Sequence, residues 1–107
     1  MADDVLSRLA VLISSRRQAL ADTSYTRQLL DAGAVKCARK LGEEAIETVI
    51  AGISGDESEV RSEAADLMYH LLVLLEARGV PLADVLATLE GRMMQSGLTE
   101  KAARVPG

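Results

Sequence analysis

The segment from residue 57 to residue 78 constrains the fold more than any other part of this sequence. From Leu67 onward its apolar residues surround the predicted helix on nearly every side, and a single polar stripe interrupts them. That stripe consists of Glu59, Glu63, Asp66 and His70. Their i, i+4, i+7, i+11 spacing keeps the four side chains within about 60° of one another on a helix. A helix with this pattern is typical of the interior of a helical bundle.

Composition also favours helices. Ala and Leu supply 32 of the 107 residues, against 13 Val plus Ile and only two Pro, and this balance favours helix over strand. The length fits one domain, since domains usually have about 100–150 residues. We therefore expect an all-α fold, a small bundle of four to five helices, with residues 1–95 forming the domain and residues 96–107 a loosely ordered tail.

The remaining helices are predicted from apolar spacing and from helix-end signals. They cover residues 3–20, a short stretch that ends at Gly33, residues 34–53, and a last helix that begins at Pro81. Asp3 or Asp4 is expected to cap the first helix, and Asp56 with Glu59 resembles a capping box. Gly79 is expected at the C-terminal end of the 57–78 helix.

Charge and cysteine content exclude several classes of function. The net charge of −4 and the presence of only two aromatic residues argue against nucleic-acid binding as the main role. Cys37 is the only cysteine, so neither an internal disulfide nor a cysteine-based zinc site is expected, and a reducing cytoplasmic setting fits. We also expect no signal peptide and no membrane span.

A second acidic cluster lies in the 34–53 helix, where Glu43, Glu44 and Glu47 form an E-E-x-x-E run. If this helix lies antiparallel to the 57–78 helix, Glu44 and Glu47 face Glu63 and Asp66 across a gap of one ion. Carboxylates placed together in a bundle repel one another and lose hydration, so a cation must compensate them. Oxygen ligands without cysteine suit Mg²⁺ or Mn²⁺ rather than zinc.

A simpler interpretation exists for the 34–53 helix alone. Lys36 and Lys40 share the face of the glutamates, and a pair such as Lys40 with Glu44 would make an ordinary solvated salt-bridge surface. The same interpretation is weaker for the 57–78 helix, because a surface helix would not be apolar around its circumference. His70, a lone histidine in an apolar helix, is more often a hydrogen-bonded core residue than a ligand.

The acidic motifs resemble those of the MazG-type all-α nucleoside triphosphate pyrophosphatases. Further motifs are similar to the phosphoribosyl-ATP pyrophosphatases of histidine biosynthesis, and the resemblance covers residues 20 to 92. They are Ser24-Tyr25-Thr26 with Leu29 and Gly33, Lys40-x-Gly42-Glu43-Glu44-Ala45-x-Glu47, and Glu63-x-Ala65-Asp66-Leu67-x-Tyr69-His70 followed by Val73-Leu74-Leu75.

The resemblance implies Mg²⁺-dependent hydrolysis of phosphoribosyl-ATP, between the α and β phosphates, to phosphoribosyl-AMP and pyrophosphate. The superfamily's metal ligands match Glu44, Glu47, Glu63 and Asp66, and Mn²⁺ is a possible substitute. Glu43 is expected to orient or deprotonate the attacking water, which makes Glu43, Glu44 and Glu47 the candidate catalytic residues. The candidate substrate-binding residues are Lys36, Lys40, Arg27, Ser24, Tyr25, Thr26 and His70.

Two other functions remain open at this point. A housecleaning pyrophosphatase for other nucleoside triphosphates would use the same acids, and a non-enzymatic helical dimerisation module would need neither acidic cluster. Assembly is expected in any case, because so short a chain cannot cover the apolar circumference of the 57–78 helix. We expect a homodimer or a dimer of dimers.

Overall fold

The computed structural model describes residues 4–94, and helices make up most of this part of the chain. Their order is α1 (Val5–Ser15), a single 3₁₀ turn (Arg16–Gln18), α2 (Tyr25–Ala32), α3 (Ala34–Ser54), α4 (Glu57–Arg78) and α5 (Leu82–Met93). No strand occurs among the described residues. The predicted all-α class is confirmed, whereas the predicted tail at 96–107 lies outside the described residues.

The predicted helix ends are confirmed where a cap specifies them. Asp4 caps α1 and accepts a hydrogen bond of 2.7 Å from the amide of Ser7. Asp56 and Glu59 form the capping box of α4, which ends at Gly79 in the left-handed conformation (φ 69°). An aspartate or serine oxygen in this position satisfies an amide that has no partner within the helix, which is why these ends are readable from sequence.

The first helix is shorter than predicted, ending at Ser15 instead of near Leu20. The cause is a long-range contact that helical periodicity does not record. The guanidinium of Arg27 donates hydrogen bonds to the carbonyls of Arg17 (3.0 Å) and Ala19 (2.6 Å). Those carbonyls are thereby satisfied without a continued helix, and the chain turns towards α2.

Helices α3 and α4 form the long hairpin around which the other helices pack. Only Gly55 and Asp56 separate them. A Cβ atom at Gly55 would lie 2.9 Å from the carbonyl oxygen of Ala51 and 3.2 Å from Cβ of Glu59, so a side chain there would force the helix ends apart. So short a connection makes the two helices antiparallel neighbours.

The buried core lies where α1, α2 and the first turns of α3 meet the second half of α4. It consists of Ile13, Leu29, Leu30, Cys37, Leu72 and Val73. Cys37 is 1% exposed, and its thiol donates to the carbonyl of Leu29 at 3.3 Å, so it belongs to the core and ties α2 to α3. Burial raises the pKa of this thiol, which keeps it protonated and unreactive.

One face of the α3–α4 hairpin is apolar and uncovered. The exposed aliphatic side chains of α3 are Val35, Ile46, Val49, Ile50 and Ile53, which are 56–82% exposed. The Cα radius of gyration is 15.8 Å, whereas a compact domain of this length has one of about 13 Å. None of the helices in the described residues combines the length and apolarity needed to cross a bilayer.

Candidate metal centre

Three of the four predicted acidic side chains, Glu44, Glu63 and Asp66, converge between α3 and α4. Each helix contributes an i, i+3 pair: Glu44 and Glu47 from α3, and Glu63 and Asp66 from α4. One oxygen each from Glu44, Glu63 and Asp66 lies within 4.8 Å of the others. Glu47 is adjacent to this group, since it lines the same open crevice as Glu63.

The register of the hairpin is what brings the two pairs together. Thr48 lies seven residues before Gly55, and Glu63 lies seven residues after Asp56, so antiparallel packing places them opposite each other. The hydroxyl of Thr48 donates to the carbonyl of Glu44 at 2.7 Å and to that of Glu63 at 3.2 Å across the helix interface. Sequence reasoning missed Thr48, because no local pattern signals a contact between two helix backbones.

Two oxygens of this cluster are buried without a compensating partner in residues 4–94. Within the described residues, Oε2 of Glu44 and Oε2 of Glu63 are buried and have no hydrogen-bond partner. A buried carboxylate oxygen without a donor loses its hydration without compensation. Because the donors are all oxygen, with no thiolate, the cluster fits a hard divalent cation held by carboxylates.

Crowding changes the protonation of the acids when no cation is bound. The hydrogen bond with Glu47 raises the pKa of Glu44 to about 7, with burial and the charges of Glu47, Asp66 and Glu63 acting in the same direction. Burial, then the charges of Glu47 and Asp66, raises the pKa of Glu63. Without a cation, the raised pKa of Glu44 favours its protonated form near neutral pH, and a cation that bound there would displace this proton.

This shift predicts how pH changes the stability of the metal-free protein. Unfolded Glu44 loses its proton near 4.5, whereas folded Glu44 keeps it to about 7. The folded state therefore binds more protons between these values, and its stability falls as pH rises through them. In EDTA, we expect the Tm of the wild type to fall relative to that of Glu44→Gln from about pH 5 to about pH 8.

The comparison with Glu44→Gln removes the contribution of groups that both proteins share, including His70, whose lowered pKa acts in the opposite direction. Glu57→Gln, at an exposed position on α4, should follow the wild type. A constant difference in Tm between wild type and Glu44→Gln over this pH range would contradict the assignment of Glu44 to the crowded cluster.

His70 lies beside the acids, deep between the helices. It is 6% exposed, and its Nε2 is 3.9 Å from Oε1 of Glu44. Its Nδ1 is buried without a hydrogen-bond partner among the described residues. Burial, reinforced by the charge of Lys40, lowers the pKa of His70, so its imidazole is neutral at pH 7. A hydrogen-bonded core histidine was the expected ordinary role of His70, but in the described part of the chain Nδ1 lacks the hydrogen bond that this role requires.

Glu43 is exposed and lies outside the group formed by Glu44, Glu63 and Asp66. Its side chain is 54% exposed, and its Oε1 is 3.0 Å from Nζ of Lys40. This hydrogen bond, with the charges of Lys40, Lys36 and Arg39, lowers the pKa of Glu43, so it is ionised at neutral pH. The salt bridge of the simpler interpretation is thus formed by Lys40 with Glu43, which leaves Glu44 in the acid cluster.

The Ser-Tyr-Thr segment forms the start of α2 and faces His70. Ser24 is the cap of α2, and its Oγ accepts from the amide of Arg27 at 3.1 Å. The ring of Tyr25 meets the His70 ring edge-on with centroids 6.2 Å apart. The hydroxyl of Thr26 hydrogen-bonds that of Tyr69. Tyr69 is a second residue whose contact sequence reasoning missed, although it stands in the Tyr-His motif.

Arg27 is held by the fold. Its guanidinium contacts both carboxylate oxygens of Asp31 at 2.9 Å, in addition to the two carbonyls at the end of the 3₁₀ turn. These contacts fix the loop before α2. They give Arg27 a structural role, and a substrate contact would require it to leave these partners.

Beside the acids, an open crevice of about 300 Å³ extends towards the hairpin turn. Its lining includes Glu47, Glu59 and Glu63 together with Ile50 and Ala51. A cation held by the carboxylates would therefore be reachable from solvent on this side. The arrangement therefore combines buried carboxylate oxygens with an open approach from solvent.

Comparison with known proteins gives a consistent result over nearly the whole chain. The family model of phosphoribosyl-ATP pyrophosphohydrolase matches residues 6–93. A protein of Parvibaculum lavamentivorans named phosphoribosyl-ATP pyrophosphatase is 58% identical over 99 residues, covering 92% of this chain and 91% of its own. Proteins of the same name from Nitrobacter winogradskyi (56% identity, 90% and 83% coverage) and Methylobacterium radiotolerans (54% identity, 94% of each chain) are also similar.

Proposed function

The chain belongs to the phosphoribosyl-ATP pyrophosphohydrolase family, and from this membership we propose its reaction and the residues that perform it. The protein is a hydrolase of histidine biosynthesis that converts phosphoribosyl-ATP and water into phosphoribosyl-AMP and pyrophosphate. The family's reaction is metal-assisted. The observation that supports a metal-assisted reaction in this chain is the set of buried, unpartnered carboxylate oxygens between α3 and α4.

We assign the binding of the cation to Glu44, Glu47, Glu63 and Asp66, and propose Mg²⁺, with Mn²⁺ as a substitute. When bound, such a cation neutralises phosphate charge, stabilises the charge of the leaving pyrophosphate and lowers the pKa of water. Glu44 and Glu63 contribute the oxygens that lack partners, and Glu47 lies on the crevice side, where the substrate arrives.

Glu43 is the candidate base. It is ionised at neutral pH and its side chain is exposed, so the carboxylate can accept a proton from water that attacks between the α and β phosphates. The pairing with Lys40 holds the carboxylate in place before substrate binds. Glu43 therefore orients the water and takes its proton, while the phosphoanhydride bond to the leaving pyrophosphate breaks.

The remaining candidate residues surround this centre on the other side. Lys36 and Lys40 supply positive charge, which an anionic substrate needs in order to approach a protein with net charge −4. Tyr25 is 51% exposed and, with Ser24, Thr26 and His70, forms the side that we assign to the nucleotide or phosphoribosyl part. For Arg27 we propose a structural role, through its contacts with Asp31 and with the loop before α2.

A substrate panel tests the proposed function. Purified protein with Mg²⁺ should release pyrophosphate from phosphoribosyl-ATP with a kcat/KM at least about 10²-fold above that for ATP, dUTP or dCTP, which is within the discrimination that substrate contacts provide. A preference for a deoxynucleoside triphosphate would instead identify a housecleaning enzyme. No release from any compound at saturating Mg²⁺ would favour the dimerisation module.

We further propose that the enzyme is a cytoplasmic homodimer, or a dimer of dimers, with residues 1–95 as its single domain. The support is the uncovered apolar face of α3 together with Met68 and Leu71 on α4, which are 50% and 39% exposed. Burying a large aliphatic side chain is worth about 1.5–3 kcal/mol, so this face is costly when left in water. A second copy would bury it, and α3–α4 hairpins from two chains would form one bundle.

A charged substitution on this face tests the dimer. Ile53 is 82% exposed in the single chain, so Ile53→Glu should fold but should no longer associate. We expect sedimentation to give about two or four times the 11.4 kDa chain mass for the wild type and a folded species of smaller mass for Ile53→Glu. Val5→Glu, on α1 and 68% exposed, is the matched control and should remain dimeric. A folded wild-type monomer at micromolar concentration would contradict the proposal.

A further inference from the structure

Tyr69 joins two parts of the chain that are 43 residues apart. Its hydroxyl hydrogen-bonds that of Thr26, in the first turn of α2, and the pair is partly buried. The ring of Tyr69 packs against the hydrophobic core. Ser24 caps the same turn of α2, so this turn is held both by its own cap and by the bond from α4.

Two tyrosine rings contact the imidazole of His70 edge-on. The Tyr69 ring meets it at a centroid distance of 4.9 Å and an interplanar angle of 78°, and the Tyr25 ring meets it at 6.2 Å and 87°. Consecutive residues on a helix point about 100° apart and do not face each other, so the contact between Tyr69 and His70 depends on the orientation of the Tyr69 side chain. The hydroxyl bond to Thr26 holds one ring directly and, through α2, fixes the position of Tyr25.

His70 in turn faces a carboxylate of the acid cluster. Its Nε2 is 3.9 Å from Oε1 of Glu44, and a closure of about 1 Å would make this a hydrogen bond. Such bonds are often long before the site is loaded. The other oxygen of Glu44 is buried and unpartnered, so it is available to a cation, and Oε1 is the oxygen that faces the imidazole.

We propose that Tyr69 is a positioning residue for Glu44: its bond to Thr26 holds the Tyr25 and Tyr69 rings against His70, and His70 orients the Glu44 carboxylate for the cation. This inference rests on the proposed metal-binding role of Glu44 and adds a residue outside the acid cluster. Groups that orient a metal ligand typically change metal affinity or activity by about 10- to 100-fold when they are removed. Tyr69 touches neither the acids nor the crevice, so its effect passes through His70.

Removal of single hydroxyl groups tests this path. Tyr69→Phe keeps the ring and its core contacts, and Thr26→Val keeps the size of the side chain. We expect each to weaken Mn²⁺ binding, measured by calorimetry without substrate, by about 10-fold, and the double variant to be no weaker than either single one. Thr26→Ser restores a hydroxyl and should bind Mn²⁺ within about twofold of wild type. Thr88→Val removes a hydroxyl that bonds only its own helix, α5, and should have no effect.

His70 provides a second readout that a purely structural role of Tyr69 would not change. It is the only histidine of the sequence, so an imidazole nitrogen spectrum reports on it alone. In the wild type we expect one tautomer with the proton on Nε2, the nitrogen that faces Glu44. In Tyr69→Phe and Thr26→Val we expect shifted or exchange-broadened signals.

The outcomes separate this inference from the proposed function. If wild type binds Mn²⁺ and releases pyrophosphate, but Tyr69→Phe has the same Mn²⁺ affinity and the same His70 signals, the positioning role is wrong and the function stands. A lower Tm alone in Tyr69→Phe would likewise mean that the bond only stabilises the core. If wild type itself neither binds Mn²⁺ nor releases pyrophosphate, the proposed function fails.

Discussion

Single replacement of Glu44, Glu47, Glu63 or Asp66 by alanine is expected to lower kcat by at least about 10²-fold. A cation bound at a reacting phosphate would stabilise the transition-state charge by several kcal/mol. Each 1.4 kcal/mol of lost stabilisation lowers the rate about tenfold. Glu44, Glu63 and Asp66 converge from two helices and Glu47 lies beside them, so we expect the loss of any one to leave an incomplete ligand set. Pyrophosphate release from phosphoribosyl-ATP at several Mg²⁺ concentrations measures the effect.

The matched control is Glu57→Ala. Glu57 lies on α4 like Glu63 and Asp66, but its side chain is 90% exposed, and its ion-pair partner within residues 4–94 is Arg61. Exposed ion pairs of this kind contribute about 0–1 kcal/mol, so this variant should keep wild-type turnover. Near wild-type turnover in any two of the four cluster variants at saturating Mg²⁺ would show that the four-carboxylate assignment is wrong.

Glu47→Gln should separate binding from stability. In EDTA we expect this variant to melt a few degrees higher than wild type, because it removes one repelling charge from the cluster and keeps the shape of the side chain. A change of about 1 kcal/mol shifts the Tm of a domain of this size by about 4–8 °C. The variant should gain less than wild type from added Mg²⁺, and its turnover should be nearly lost.

The sign of the Tm change in EDTA decides between two roles for Glu47. A lower Tm than wild type would make Glu47 a structural partner of Lys36 or Lys40, as in the solvated salt-bridge interpretation of α3. The structure gives a reason to expect the opposite sign, since Lys40 pairs with Glu43 at 3.0 Å and Glu47 raises the pKa of Glu44. Calorimetric scans in EDTA and in Mg²⁺ measure the Tm of the metal-free protein and the increase in Tm that Mg²⁺ produces.

Most of the fold could be predicted from the sequence because helices are specified by residues close together in the chain. Apolar spacing placed the helices, and the caps at Asp4, Asp56 and Gly79 placed their ends to within a residue. The acid cluster was predictable for the same reason. A two-residue connection makes α3 and α4 antiparallel and brings two i, i+3 pairs to one interface, where three of the four acids converge.

Contacts between distant residues could not be predicted in this way. Arg27 ends the first helical segment early by binding carbonyls eight and ten residues before it, and Tyr69 reaches Thr26 across 43 residues. The periodicity of apolar residues carries no information about which partner a given hydroxyl or guanidinium group will contact. The pattern of α3 likewise marked Ile46 and Ile53 as apolar, but it did not show that the chain leaves both uncovered.

Anomalous scattering from crystals of the wild-type protein soaked in Mn²⁺ tests the central claim most directly. We expect a Mn²⁺ peak between α3 and α4, at about 2.0–2.2 Å from carboxylate oxygens of Glu44, Glu63 and Asp66, with Glu47 adjacent. The peak should be absent from crystals of Glu44→Ala soaked in the same way. A wild-type crystal without a peak there, or with Mn²⁺ bound only at other carboxylates, would contradict the assignment of these acids as the metal centre.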